Sequence, residues 1–97
     1  MFVVTVKFVV KSGGMTAFLP LMKENARRSL QDEPSCRLFD VCLSPDRPQE
    51  VFLYEVYDSP AAFEDHKAAS HFLAFARASD ALLESKEILT FERLEIA

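Results

Sequence analysis

Residues 2–10 place the strongest constraint on the fold, because eight of these nine positions are β-branched or aromatic. Such side chains favour an extended backbone, so the segment predicts the first strand of a sheet. Successive side chains on a strand point to opposite faces. Both faces are apolar here: Phe2, Val4, Val6, Phe8 and Val10 lie on one, and Val3 and Val9 on the other. Each face of the sheet therefore needs a cover.

A helix is predicted to follow this strand after a break at Ser12-Gly13-Gly14. Apolar residues then recur three and four positions apart, the spacing of one helix face. They are Met15, Phe18, Leu19, Met22, Ala26 and Leu30. The helix should end near residues 31–32, ahead of Pro34. Pro20 interrupts the pattern, so we expect either that the regular helix begins near it or that its first turn is bent there.

Residues 36–43 and 50–58 are predicted to form two further strands. The short loop of residues 44–48 contains two prolines and favours an antiparallel hairpin. Cys36 and Cys42 lie in the first of these strands, roughly 20 Å apart at about 3.3 Å per residue, too far for a disulfide. We expect both cysteines to be small core hydrophobes.

Two short helices and a last strand complete the pattern. Ser59 is predicted to cap a helix that begins with Pro60 and continues to about Lys67. Ser70 is predicted to cap a second helix, and residues 87–96 read as the final strand. The helices thus follow the hairpin and precede one more strand.

The predicted order is β-α-β-β-α-β, a ferredoxin-like α+β fold with an antiparallel sheet, in a single domain of residues 1–97. Helices of one chain cover only one face of such a sheet. Because both faces of the first strand are apolar, we expect a second copy of the chain to cover the other face. The prediction is a homodimer joined sheet to sheet.

Composition excludes two classes of partner. The formal net charge is −4, from 11 Lys and Arg against 15 Asp and Glu, and no basic cluster is visible, which argues against nucleic acid. No apolar run approaches the roughly 20 residues of a membrane span. The first residues carry no basic leader or small-residue cleavage site, so the expected location is the cytoplasm.

Asn25 is the first candidate site residue. It lies seven positions after Phe18 and three after Met22, on the buried side of the predicted helix. A buried amide without partners costs about 1–3 kcal/mol. Two interpretations are open: a structural hydrogen bond to a strand backbone, or a polar group that faces a cavity between helix and sheet.

Glu55 is the second candidate, because alternation places it among apolar neighbours on the third strand. A partly buried carboxyl has a raised pKa and can act as a general acid or base. The alternative is a carboxylate that is paired at a dimer interface or exposed at the sheet edge.

His66 follows Phe63 by one helical turn, so both side chains should point in the same direction. A buried histidine is either a satisfied core residue or a proton-transfer group. His71 is five positions later, across a predicted break between helices. This is not the spacing of two metal ligands on one helix, and no cysteine or carboxylate completes a set in the sequence. We therefore expect no metal site.

The segment 52–75 carries a motif. A strand ends with an acidic residue and an aromatic residue, and a helix that contains Ala-Phe follows. A histidine and then a His-Phe pair come after Ala-Phe. The residues of this motif are Glu55, Tyr57, Ala62, Phe63, His66 and His71-Phe72. Asn25 before Glu33-Pro34, and Phe39-Asp40, fit the same pattern. In these features the chain resembles the antibiotic biosynthesis monooxygenase family.

The resemblance implies a ferredoxin-like dimer whose two sheets form a β-barrel. It also implies cofactor-free oxidation of a small phenolic or quinol substrate by dioxygen. Carried onto this sequence, it gives His66 and Glu55 the catalytic roles. It assigns substrate contacts to Asn25, Phe39, Tyr57, Phe63 and His71.

The haem-degrading branch of the family carries tryptophan where this chain has Tyr57, and the chain contains no tryptophan, so haem degradation is not expected.

Two other functions are open at this point. The chain also resembles an isomerase of a small phosphorylated dione, in the residues Phe39-Asp40-Val41, Tyr54-Glu55, His66-Lys67 and His71. In such an enzyme His66 would shuttle a proton, and Lys67 or Arg37 would pair with the phosphate. A non-catalytic binding dimer is the third possibility, since a fold implies no activity.

Overall fold

The computed structural model describes residues 1–96 and shows the ferredoxin-like α+β fold that the sequence predicts. Its elements in chain order are β1 (Phe2–Val10), α1 (Met15–Asp32), β2 (Cys36–Leu43), β3 (Glu50–Tyr57), α2 (Pro60–Ala68), α3 (Ser70–Ser79) and β4 (Leu83–Glu92). A 3₁₀ turn, Asp80–Leu82, joins α3 to β4. No helix within residues 1–96 combines the length and the apolar character that a membrane span requires.

The four strands form one antiparallel sheet in the order β2-β3-β1-β4. β1 is therefore an interior strand, paired with β3 on one side and β4 on the other. Its apolar residues Val4, Phe8 and Val10 are buried against the helices, where the rings of Phe8, Phe18 and Phe75 meet edge to face. We call this helix-covered side the inner face of the sheet and the opposite side the outer face.

α1 begins at Met15 and includes Pro20, so the expectation that the regular helix begins near Pro20 is wrong. The turn before it uses Gly13 at φ +81°, a conformation that glycine adopts without strain. The first helical bond runs from Phe18 N–H to the Gly14 carbonyl at 2.9 Å. Pro20 is exposed in the second turn, where its missing N–H leaves one carbonyl accessible to water.

The cap at Ser59 is confirmed: its hydroxyl accepts a hydrogen bond from Ala62 N–H at 3.2 Å, and Pro60 begins α2. The predicted cap at Ser70 is wrong. Ala69 occupies the cap position of α3, and no side chain caps that helix, because Ser70 is already its first helical residue. The break between the two helices, which the sequence predicts, is present.

The last strand begins and ends earlier than predicted, at Leu83–Glu92 instead of 87–96. β1 determines this shift, since its residues from Phe2 to Val10 pair with β4 from Glu92 back to Leu83. Leu82 and Leu83 extend the apolar stripe of α3 in sequence, so periodicity assigns them to the helix. In the fold they pack on the core where the chain enters the strand.

The cysteines have no disulfide, but only one of them is buried. Cys36 is in the core and Cys42 is exposed, so the expectation of two core cysteines is wrong for Cys42. The pairing of β2 with β3 shifts between Cys36 and Leu38, where two residues of β2 oppose one of β3. This irregularity reverses the alternation and turns Cys42 to the outer face.

Candidate functional site

A small cavity of about 30 Å³ lies between the helices and the inner face of the sheet. The apolar side chains that line it are mostly aromatic and include Phe8, Phe39, Leu53, Phe63, Phe72 and Phe75. Three buried polar side chains also line it: Asn25, Glu55 and His66. Since one water needs roughly 10–15 Å³ of such space, the cavity has room for about two molecules of that size.

His66 reaches this cavity from α2, at 2% exposure, and its ring is enclosed by aromatic rings. Phe63 stacks on it at 6.1 Å between centroids, and Phe72 meets it edge-on at 5.0 Å. Burial lowers the pKa of His66 below its usual 6.5, and the nearby Glu33 carboxylate partly opposes this shift. The imidazole is thus held near the neutral form that can accept a proton.

A carboxylate from the end of α1 joins both histidines. The Glu33 Oε2 atom is 2.9 Å from His66 Nδ1 and 2.5 Å from His71 Nε2. The expectation that no carboxylate accompanies the histidines is therefore wrong. The three ligand-type atoms lie within 4.8 Å of one another, a donor set that a divalent cation can use. Both contacts have hydrogen-bond lengths, and we describe the group as a Glu33–His66–His71 hydrogen-bonded triad.

Glu55 faces the helices from β3, with 2% exposure. Since β3 is an interior strand and this side chain is on the inner face, the alternative of an exposed carboxylate at the sheet edge is wrong. Burial raises the pKa of Glu55 to about 7, while a hydrogen bond from the Tyr57 hydroxyl at 2.6 Å works against the increase. Glu55 can therefore carry or release a proton near neutral pH.

Asn25 lines the cavity and has a buried polar atom. Its side chain is 3% exposed, and within residues 1–96 its Oδ1 atom has no hydrogen-bond partner. The interpretation as a structural bond to a strand backbone is not supported for this oxygen. An unpaired buried acceptor costs free energy unless a ligand or water supplies a donor. Asn25 thus marks a position at which a hydroxyl group can bind.

Two lysines line the exposed side of the cavity. Lys67 lies 4.9 Å above the Phe63 ring and pairs with Glu64 at 3.0 Å. Lys86 lies 5.7 Å above the Phe72 ring and forms no ion pair within the described part of the chain. Long exposed side chains can move aside, so this rim is the natural entrance for a larger molecule.

Five of the seven site residues predicted from sequence line the same cavity: Asn25, Phe39, Glu55, Phe63 and His66. The other two do not. Tyr57 is fully buried, and its ring centroid is 5.4 Å from those of Phe63 and His66. Burial raises the pKa of its hydroxyl, which donates a hydrogen bond to Glu55. His71 lines a separate open groove of about 360 Å³ between α1 and α3.

Glu33 is the site residue that the sequence analysis missed. An acidic residue at a helix C-terminus is unfavourable beside the negative end of the helix dipole, and the last turn of α1 holds no basic residue. That mismatch was a readable signal that Glu33 has a partner elsewhere. Its partners are 33 and 38 residues away in sequence, so local patterns could not name them.

The sequence profile of one protein family, described as antibiotic biosynthesis monooxygenase, matches residues 1–78. The match includes every residue that the sequence analysis assigned to the site, together with Glu33, and ends within α3, before β4. A search of curated proteins finds no significant match.

Solved structures share the whole fold. A provisionally assigned antibiotic biosynthesis monooxygenase from Nitrosomonas europaea is 27% identical, with a TM-score of 0.93 over 98% of this chain and 100% of that one. Rv0793 from Mycobacterium tuberculosis is 24% identical, with a TM-score of 0.90 over 99% and 97% of the two chains. PA3566 from Pseudomonas aeruginosa is 23% identical, with a TM-score of 0.89 over 97% and 94%. The last two likenesses concern the fold alone.

Proposed function

The chain belongs to the antibiotic biosynthesis monooxygenase family, and we propose that it is a cofactor-independent monooxygenase acting on a small phenolic or quinol-type substrate. One observation supports this most directly: a buried imidazole whose pKa is lowered and an amide whose oxygen has no hydrogen-bond partner line the same aromatic cavity. His66 accepts the hydroxyl proton of the substrate, and Asn25 and Glu55 orient its oxygen atoms. Phe39 and Phe63 pack against its ring.

The reaction that these groups serve needs only dioxygen as co-reactant. The phenolic proton passes to His66, and a ring carbon of the electron-rich phenolate forms a bond to dioxygen. The resulting peroxide anion takes the proton back from His66 and becomes a hydroperoxide. The O–O bond then breaks, the hydrogen on that carbon leaves with the distal oxygen as water, and the carbon becomes a quinone carbonyl. One oxygen atom remains in the product, and the substrate supplies all the electrons.

The size of the cavity determines how the reactants are arranged. The space of about 30 Å³ admits dioxygen or water but no aromatic ring. We place the entrance for the ring at the rim formed by Lys67 and Lys86, whose side chains extend over the outermost phenyl rings. Movement of these two side chains widens the cavity without disturbing the core.

Dioxygen uptake by the purified protein tests this function. A panel of naphthols, hydroquinones and anthrones is mixed with protein that has been treated with a chelator, and oxygen consumption is compared with quinone formation. His66→Gln should lower turnover by about 10²–10⁴-fold, the usual contribution of a positioned base. Asp65→Asn, an exposed neighbour on α2, is the matched control and should keep full turnover. Equal turnover by His66→Gln and the wild type would contradict the proposal.

The phosphorylated-dione isomerase is a second candidate, and the two lysines at the cavity rim favour it, since phosphate binds to cationic groups. In that reaction His66 and Glu55 move a proton beside a carbonyl, and no dioxygen is consumed. Conversion of a phosphorylated hydroxy-dione without oxygen uptake would replace the first proposal with this one. No conversion of any compound on either panel would favour a binding dimer.

We also propose that the chain acts as a homodimer in which two outer faces meet. Large apolar side chains are exposed on that face: Leu38, Phe52, Tyr54, Leu89 and Phe91. Phe52 and Tyr54 are successive outer-face residues of β3, Leu89 and Phe91 are successive outer-face residues of β4, and β1 lies between these two strands. A contiguous apolar patch of this kind is unusual for a monomer.

Both cysteines are free thiols, which agrees with a cytoplasmic setting.

Sedimentation tests the dimer. The wild type should have twice the 11.0 kDa chain mass at micromolar concentration. Leu89→Lys puts a charge on the outer face and should shift the protein to monomer, because each buried leucine contributes about 1.5–3 kcal/mol. Asp46→Asn in the exposed hairpin loop changes the net charge by the same one unit and should leave the dimer intact. A wild-type monomer would refute the assembly.

A further inference from the structure

We propose that Glu33 is a positioning residue, which fixes the His66 ring with its proton on Nδ1 and leaves the Nε2 lone pair for a molecule in the cavity. The inference rests on the proposed function in so far as it concerns catalysis. It assigns a role to a residue outside the cavity lining. It also explains why a carboxylate terminates α1.

The first step concerns the location of Glu33. It is the C-cap residue of α1, where its backbone N–H donates to the Ser29 carbonyl at 3.2 Å. A negative charge is unfavourable at this end of a helix, because the free carbonyls there already carry partial negative charge. Glu33 is also mostly buried, with 15% of its side chain exposed. Helix stability therefore does not explain why a carboxylate is present at this position. Its contacts with the imidazole nitrogens of His66 and His71, on two other helices, do explain it.

The second step concerns the proton. An ionised carboxylate offers only acceptors, so an imidazole nitrogen that contacts it at hydrogen-bond distance must carry the hydrogen. The His66 contact is made through Nδ1 at 2.9 Å. In the neutral ring the lone pair then resides on Nε2. Within residues 1–96, His66 makes no other side-chain hydrogen bond, and its ring lines the cavity. Nε2 is therefore the free base.

The third step concerns proton uptake. When Nε2 accepts a proton the ring becomes cationic, and the Glu33 carboxylate next to Nδ1 stabilises that charge, as in the carboxylate–histidine pairs of other enzymes. Glu33 raises the pKa of His66, against the larger lowering by burial, while His71 lowers it. Glu33 thus keeps a deeply buried imidazole basic enough to work.

Five elements place charged or titratable groups near His66 or along the cavity. α1 contributes Glu33, α2 contributes Lys67, α3 contributes His71, β3 contributes Glu55 and Tyr57, and β4 contributes Lys86. Among them, only Glu33 and His71 alter the pKa of His66 as charges or hydrogen-bond partners. A substitution at Glu33 therefore acts on the imidazole directly.

Imidazole ¹⁵N NMR tests the proposal without any substrate. Long-range ¹H–¹⁵N spectra of ¹⁵N-histidine protein are recorded between pH 5 and 9, and His66→Gln and His71→Gln assign the two rings. The wild type should show the Nδ1–H tautomer at His66. Glu33→Gln should lower the pKa of His66 and abolish the preference for that tautomer. Asp32→Asn removes the neighbouring exposed charge, which pairs with Arg28, and should change neither.

Three outcomes would overturn the proposal. The Nε2–H tautomer in the wild type would do so even if Glu33→Gln failed to fold. An unchanged tautomer and pKa in folded Glu33→Gln would do the same. A His66 signal that changes when EDTA is added would show that a metal ion, and not a proton, occupies Nδ1.

Kinetics distinguish this inference from the function on which it rests. With an active substrate, Glu33→Gln should lower kcat by less than His66→Gln does, leave KM nearly unchanged and shift the acid limb of the kcat–pH profile toward lower pH. If His66→Gln keeps full turnover while Glu33→Gln still changes the tautomer, the proposed reaction is wrong and Glu33 positions the ring all the same.

Discussion

The two faces of the sheet are made from the same four strands, yet they differ in what they bury. The inner face carries Val4, Phe8 and Glu55 beneath three helices, and all three are almost fully shielded from water. The outer face carries Tyr54 and Phe91, which are 36% and 50% exposed. Consecutive residues of a strand point to opposite faces, so that Tyr54 and Glu55, which are neighbours in β3, belong to different faces.

This difference shows where chemistry is possible in so small a chain. Only the inner face has a dry environment in which a carboxyl pKa rises to about 7 and an imidazole pKa falls. The outer face has the apolar surface but no buried titratable group. It suits association, whereas the inner face suits catalysis.

The largest expected contrast comes from the same truncation on each face. Phe8→Ala removes a ring that packs edge to face against Phe18 and Phe75, and should cost about 3–5 kcal/mol of unfolding free energy. Phe91→Ala on the outer face should cost the isolated chain less than about 1 kcal/mol, because half of that ring is already in water. Urea unfolding of both variants in the Leu89→Lys background measures this. Similar losses would contradict the assignment of the faces.

A pH dependence of stability should come from Glu55 on the inner face. Its pKa is about 7 in the folded chain against 4.5 for a free side chain, so the folded state binds the proton more tightly. Its contribution to stability is therefore full below pH 4.5 and is lost as pH rises to about 7. The loss is about 3 kcal/mol, at about 1.4 kcal/mol for each pKa unit.

Urea unfolding curves of the wild type and Glu55→Gln between pH 4 and 8 isolate this contribution. The lowered pKa of His66 acts in the opposite direction over an overlapping range, but it affects both proteins. The difference between the two stability curves should thus decline with rising pH. A difference that stays constant would show that Glu55 titrates normally and that the inner face is wet.

The smallest expected effect concerns the Tyr57 hydroxyl. Tyr57→Phe removes the 2.6 Å hydrogen bond to Glu55 and should raise the pKa of Glu55, because this bond favours the ionised form. The accompanying loss of stability should be about 1 kcal/mol. Carbon-13 NMR titration of the glutamate carboxyls measures the shift. A lower pKa in Tyr57→Phe would mean that water replaces the hydroxyl.

Much of the architecture was readable from sequence because it depends on local patterns. The strand at residues 2–10, the helix stripe from Met15 and the break before Ser70 are set by alternation, periodicity and turn residues. Burial of Asn25 and His66 followed from the same periodicity. These predictions needed only near neighbours in the chain.

Errors arose where a distant strand or helix decides the outcome. Pairing with β1 sets the start of the last strand at Leu83, and the irregular pairing with β3 turns Cys42 outward. Periodicity within one element contains no information on either.

The sequence by itself determined the order of elements, the family and the two apolar faces of β1, since each depends on residues that are close together in the chain. Only the tertiary structure decided that Glu33 meets His66 and His71. Those contacts join the end of α1 to α2 and α3 across 33 and 38 residues. Hydrogen bonds depend on distances of about 3 Å in space, and chain packing alone sets these for residues so far apart.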